Sequence, residues 1–168
     1  SKVYCYKSTD RTGIVTERVS SSTILQVIAL IMTKECKRQT ILKLEKDKFI
    51  EIFDKACDAI ERTVEYFRSF YRIPVSQLLP YNALVAPFSY FFYFHPDKPT
   101  GDKQKYLQDF FWRCSLSGRY SSAVESKLAQ DIKRIDTILE NELPSYDWPI
   151  DSSKDFIISN GWFGAGRS

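Results

Sequence analysis

Between Lys46 and Arg72, apolar side chains return every three or four positions. Phe49, Ile52, Phe53, Ala56, Ile60, Val64, Phe67 and Phe70 form one stripe, with Lys, Glu and Arg opposite. A pattern this long fits a helix whose greasy side is covered by other elements, so it commits the chain to helix-on-helix packing. The helix is expected over about 46–72. It should stop before Pro74, which lacks an amide proton and disfavours helix at its predecessor. Thr63 falls at the edge of the stripe, where its methyl can pack and its hydroxyl can bond a carbonyl one turn back.

Other stretches repeat the pattern. The serines opening "SSSTILQVIALIMTKECK" suit N-capping, and Ile24, Val27, Ile28 and Ile31 keep helical spacing, which predicts a helix over about 22–35. Pro80 suits the first turn of the next helix. That helix is apolar on most sides, which places it centrally in the core. Its aromatics, Phe88, Tyr90, Phe91, Phe92, Tyr93 and Phe94, resemble a base-stacking platform only in number; they are contiguous and lack interleaved Arg or Lys, which favours core packing. Tyr106, Leu107, Phe110, Phe111 and Cys114 make a tight face on a helix over about 102–116, with Trp112 and Arg113 pointing elsewhere. Gly118 suits the left-handed position that ends a helix. Ser122 and Glu125 have the spacing of a capping box for the next helix. That helix carries Val124, Leu128, Ile132, Ile135 and Leu139 on one face, and the two should pair as a hairpin.

The expected fold is therefore all-α: an irregular bundle of about five main helices in a single domain over residues 1–168. Residues 1–19, with a "DRTG" turn signal, form an extended arm or a short hairpin. Residues 20–141 form the helical core, and 142–168 a loop-rich tail. The tail's "GWFGAG" lacks the Lys-Ser/Thr of a phosphate loop. A chain that begins without Met and stops at "GWFGAGRS" is expected to be part of a longer protein.

Composition narrows the chemistry. At 168 residues and 43% hydrophobic, the chain can bury a core. The net charge of +3 is too mild to imply nucleic acid by itself, but it is unevenly spread. Residues 34–48 are basic, and 136–155 are mainly acidic. Lys34, Lys37, Arg38 and Lys43 are candidate DNA contacts, against the alternative of a solvated face. The four cysteines, Cys5, Cys36, Cys57 and Cys114, make no CxxC pair or Cys/His cluster, so no metal site is expected. Free thiols point to a reducing, cytoplasmic compartment. The most apolar run, 83–94, is too short to span a bilayer and contains Pro87, so no membrane partner is expected. His95 is the only histidine. Acid–base work with Asp97 or Asp109 is the remote reading, and a helix-end surface residue the ordinary one.

A resemblance adds what composition cannot. "FFWRCSLSGRYSSAVESKLAQDI" (110–132) resembles a recurring segment of the GmrSD-type, modification-dependent restriction endonucleases. The matching positions are Phe111, Trp112, Arg113, Ser117, Gly118, Arg119, Tyr120, Ser121 and Glu125. "QLLPYNALVAPFSYFF" (77–92) is similar to the family through Leu79, Pro80 and Tyr81, and residues 20–44 look like the preceding stretch. In that family a ParB/sulfiredoxin-like domain with an Asp-Gly-Gln-Gln-Arg-type motif hydrolyses nucleotide. Many members continue into a His-Asn-His nuclease domain, with a helical region between. This chain has no Asp-Gly-Gln-Gln-Arg motif and only one histidine. The resemblance thus implies the helical region alone, non-catalytic and without a cofactor of its own. The parent protein would use nucleoside triphosphate and a divalent metal, and the partners would be the parent's other domains, with DNA as an addition. A helical protein–protein interaction module unrelated to restriction is the alternative.

The resemblance leaves the turn between the last two helices with two readings. Capping accounts for Gly118, Ser122 and Glu125, but it does not require Arg113, Arg119 or Tyr120. Either these three side chains satisfy groups left free at the helix ends, or they face a phosphate or a neighbouring domain.

Overall fold

Val85–Phe92 is buried residue by residue, proline and serine included. A helix with apolar side chains all round has nowhere to go but inside, and the other helices are arranged around it. A computed structural model describes residues 4–10, 13–71 and 81–149, with side-chain placement over 19–70 and 83–149. Among these residues the fold is an all-α bundle, as expected. Its elements are β1 (Tyr4–Asp10), β2 (Gly13–Val19), α1 (Ser21–Thr33), α2 (Arg38–Leu42), α3 (Lys46–Tyr66), α4 (Val85–Phe94), α5 (Gly101–Ser115) and α6 (Val124–Leu139). The N-terminal arm takes the hairpin alternative. β1 and β2 pair antiparallel, from Tyr4 opposite Val19 to Asp10 opposite Gly13.

The starts and stops follow local chemistry. Ser20 caps α1 by accepting the Thr23 amide at 3.2 Å, and Lys34 ends the helix in the left-handed conformation at φ 61°. α2 has only five residues, too few for a period to announce it. The helix expected over 46–72 is α-helical to Tyr66 and then widens into a π-type turn, Phe67–Tyr71. The wider turn accompanies an aromatic demand. Tyr66 lies nearly parallel to Phe70, with centroids 5.2 Å apart and planes 7° apart, while Phe67 meets Phe88 edge-on at 4.9 Å. Pro74, Leu79 and Pro80 lie outside the described residues. Tyr81 begins a short 3-10 turn, Tyr81–Leu84, that leads into α4. Pro87 sits in the first turn of α4, where an amide proton has no intrahelical partner.

α4 packs against α1, α3 and α6, while α5 packs against α6. One continuous core runs from Val19 to Ile138. Phe88 lies at its centre, 4.9 Å from Phe67, 6.0 Å from Phe110 and 6.2 Å from Phe111. The expected core positions Leu107, Phe110, Phe111, Cys114, Leu128, Ile132 and Ile135 are all fully buried. Leu139 is only partly buried, and Ile138 beside it is buried completely. The aromatic cluster is thus core rather than platform, apart from Phe94, which is about half exposed.

The few polar groups α4 carries inward are all paired. Ser89 donates to Thr63 Oγ1 at 3.1 Å, and Thr63 donates to the Ala59 carbonyl at 2.9 Å, the bond one turn back that its position predicts. The Tyr90 hydroxyl donates to Asp136 Oδ1 at 2.6 Å. Asp136 Oδ2 accepts from Lys34 Nζ at 2.7 Å, so one carboxylate joins α1, α4 and α6. These contacts set a ranking for chemical denaturation. Phe88→Ala should lose about 3–5 kcal/mol, and Tyr90→Phe, which removes one charge-assisted bond, about 1.5–3 kcal/mol.

Candidate functional site

The turn between α5 and α6 forms because the chain reverses tightly after Ser115. Gly118 adopts φ 60°, ψ 33°, the left-handed conformation for which glycine suits it. A 3-10 turn, Arg119–Ser121, follows at once, closed by the Ser121 amide on the Gly118 carbonyl at 3.0 Å. Ser117 Oγ donates back to the Cys114 carbonyl at 3.3 Å. This geometry directs the side chains of Arg119 and Tyr120 inward rather than toward solvent, and both are buried.

They meet Asp131, a carboxylate on α6 with no accessible surface. Arg119 holds it side-on, with Nε to Oδ2 at 3.0 Å and Nη2 to Oδ1 at 3.1 Å. The Tyr120 hydroxyl donates to Oδ2 at 2.5 Å, and Arg134 Nη1 donates to Oδ1 at 2.8 Å. Arg119 Nη2 also reaches Gln130 Oε1 at 3.1 Å. Four donor atoms on two oxygens satisfy the hydrogen-bonding capacity of a buried carboxylate. Burial pushes the Tyr120 hydroxyl well above the usual phenol range, with the neighbouring Cys114 and Asp131 adding to it. Burial alone would lower the Arg119 guanidinium, but the bond to Asp131 and its charge outweigh that and raise it. Cys114, fully buried alongside, is held as a thiol far above its ordinary value, again by burial first and Asp131 second.

The tail closes the outer side. Residues 144–148 were expected as featureless loop, and they lie across the arginines. Trp148 covers the Arg119 guanidinium at 3.7 Å and that of Arg134 at 4.7 Å. Its indole nitrogen donates to the Arg113 carbonyl at 3.2 Å. Tyr146 stacks on Arg113 at 4.5 Å and meets Trp148 edge-on at 5.1 Å. Arg113 is also bonded through Nε to Asp109 Oδ2 at 2.8 Å.

So the structure brings Arg113, Arg119 and Tyr120 together, and in it their partners are protein groups. Asp131, Arg134, Tyr146 and Trp148 escaped the sequence reading. For Asp131 a signal existed, since it lies three residues after Leu128 and one before Ile132, an acid inside the apolar stripe. Trp112 turns outward and is 42% exposed. Ser121, Ser122 and Glu125 are exposed.

The capping box is not formed. α6 begins after Ala123, which takes φ 50°, ψ 42°, and no side chain caps the helix. Ser122 is extended, at φ −153°, and its Oγ accepts from Lys127 Nζ at 3.5 Å. The reason is competition. Ser-x-x-Glu is a local pattern, whereas the backbone here carries Arg119 and Tyr120 to a partner twelve and eleven residues away.

The basic stretch is divided. Lys34 is held by Asp136, while Lys37, Arg38 and Lys43 are exposed. Lys43 and Lys48 line an open groove of about 400 Å³ with Thr40, Leu44 and Glu45. Among the described residues His95 does not pair with a carboxylate; Nδ1 meets the Asp97 carbonyl at 3.0 Å, and Asp109 is held by Arg113. Among the described residues, Cys36 and Cys114 are buried free thiols. Burial raises Cys36 to about 11, aided by Glu125 and Glu35. No group of three or more His, Cys, Asp or Glu positioned to hold a metal occurs among the described residues. No described helix is long and apolar enough to cross a membrane.

Three substitutions test this geometry by urea unfolding. Asp131→Asn leaves the Arg119 charge buried without its partner and should cost about 3–5 kcal/mol, against about 1.5–3 kcal/mol for Tyr120→Phe. Ala123→Gly relieves the left-handed alanine and should stabilise by about 1 kcal/mol. A capping box would place residue 123 in the helix, and the same change would then destabilise. Compared with family models, curated proteins and solved structures, the chain matches none.

Proposed function

We propose that this chain is the non-catalytic helical domain of a nucleotide-dependent, modification-dependent DNA restriction protein. In this reading it works in the cytoplasm and links a nucleotide-hydrolysing N-terminal domain to a nuclease domain. The observation that carries the proposal is that the family-like Ser-Gly-Arg-Tyr segment is where the turn after α5 is bound to α6 through Asp131. A relay between two catalytic domains needs a corner that transmits displacement without bending. A turn tied to the following helix by a buried bidentate pair supplies one. The parent's nucleoside triphosphate and divalent metal belong to the flanking domains in this scheme. DNA contact is a secondary role of Lys37, Arg38 and Lys43, with Lys34 drawn away by Asp136.

The alternative, an interaction module unrelated to restriction, draws on exposed apolar side chains: Leu42 at 76%, Ile50 at 62% and Trp112 at 42%. The parent reading frame separates the two. An upstream Asp-Gly-Gln-Gln-Arg motif favours restriction, and an unrelated neighbouring domain favours the alternative.

Incubated with nucleoside triphosphate, magnesium and DNA, this chain alone should neither hydrolyse nor cleave; robust metal-dependent turnover would overturn the reading. If Lys37, Arg38 and Lys43 each neutralise a phosphate, DNA affinity should fall about 40-fold between 50 mM and 200 mM salt. Replacing all three by alanine should flatten that dependence.

A further inference from the structure

Arg134 has two hydrogen-bonding faces, and they serve different masters. Nη1 points inward to Asp131. The side-on fork, Nε and Nη2, points at residues 145–147, where Nε donates to the Ser145 carbonyl at 2.9 Å and Nη2 to Asp147 Oδ1 at 3.0 Å. Two oxygens from one short segment thus fill the fork that binds two oxygens of a phosphate. Arg113 lies against Tyr146 of the same segment, and Arg119 lies under its Trp148. Lifting the segment would bare the Arg134 fork beside two more guanidinium groups, while Asp131 kept Arg119 in place.

We propose that residues 145–148 are a displaceable strap, and that the Arg134 fork beneath it is a binding site for a phosphate-class dianion. The strap is built to be exchanged. Asp147 is 75% exposed, so its bond to Arg134 is open to water and salt. The Tyr146 hydroxyl is buried without a hydrogen-bond partner among the described residues, a cost that release would recover. The segment has no helix or strand bonds of its own to break. Trp148 keeps it closed, through its face on Arg119 and its bond to the Arg113 carbonyl. The site stands apart from the restriction reading, because its test measures anion binding alone.

The probe is inorganic phosphate, titrated into the full chain at low salt. Asp147→Asn removes the competing charge, and Trp148→Ala removes the stack. Each should bind phosphate about ten-fold tighter than the unsubstituted chain. Adding Arg134→Gln to Asp147→Asn should abolish the gain. Because Arg134→Gln also loosens the hold on Asp131, the Arg134 Nε–H resonance is followed directly in Asp147→Asn, where it should shift with phosphate. Adenosine triphosphate and a short DNA duplex, titrated in parallel, tell whether the phosphate arrives on a nucleotide or on nucleic acid; preference for either supports the site. Equal, weak affinity in all variants, or an Nε–H signal that does not move in the folded Asp147→Asn chain, would overturn the proposal.

Discussion

α4 offers water no polar face, and the rest of the bundle is a response to that. A helix buried all round must be enclosed, and α1, α3 and α6 are the walls. Its own polar atoms then become the problem, because an unpaired buried hydroxyl costs as much as a lost bond. The solutions are specific. Ser89 hands its proton to Thr63, and Tyr90 hands its proton to Asp136. Each pairing also fixes how far α4 can slide along its neighbour.

α6 is docked by two carboxylates pointing different ways. Asp136 faces α1 and α4, and Asp131 faces the preceding turn. The second is the more demanding. Burying a carboxylate and two guanidinium groups costs solvation that their attraction largely returns, so such a pair yields little net stability. What it does yield is registry. An apolar face can slip by one helical turn, and a side-on Arg–Asp contact closed by a tyrosine cannot.

Much of this was legible in the sequence, and the illegible parts have a common cause. Periodic apolar stripes announced α1, α3, α5 and α6, and Gly118 announced the reversal, because these signals lie within a few residues of one another. α2 was too short to show a period. The π-type turn after Tyr66 answers to Phe88, a residue outside the local window. The Ser122–Glu125 pattern was locally sound and failed because Asp131 makes a stronger claim on the turn. Tyr146 and Trp148 belong to irregular chain, where an aromatic has no pattern to betray what it covers. The candidate triad Arg113, Arg119 and Tyr120 was found through a resemblance, but Asp131, which gathers two of them, was passed over as one more acid on a helix.

That carboxylate has a consequence for how the chain can change over generations. Asp131, Arg119 and Tyr120 are safe only as a set. Losing Asp131 strands the buried Arg119 and Tyr120 donors, and losing either of those removes donors from a carboxylate that water cannot reach. Substitution therefore has no gentle path through single steps, and descendants should keep all three or exchange them together for a greasy trio of similar volume.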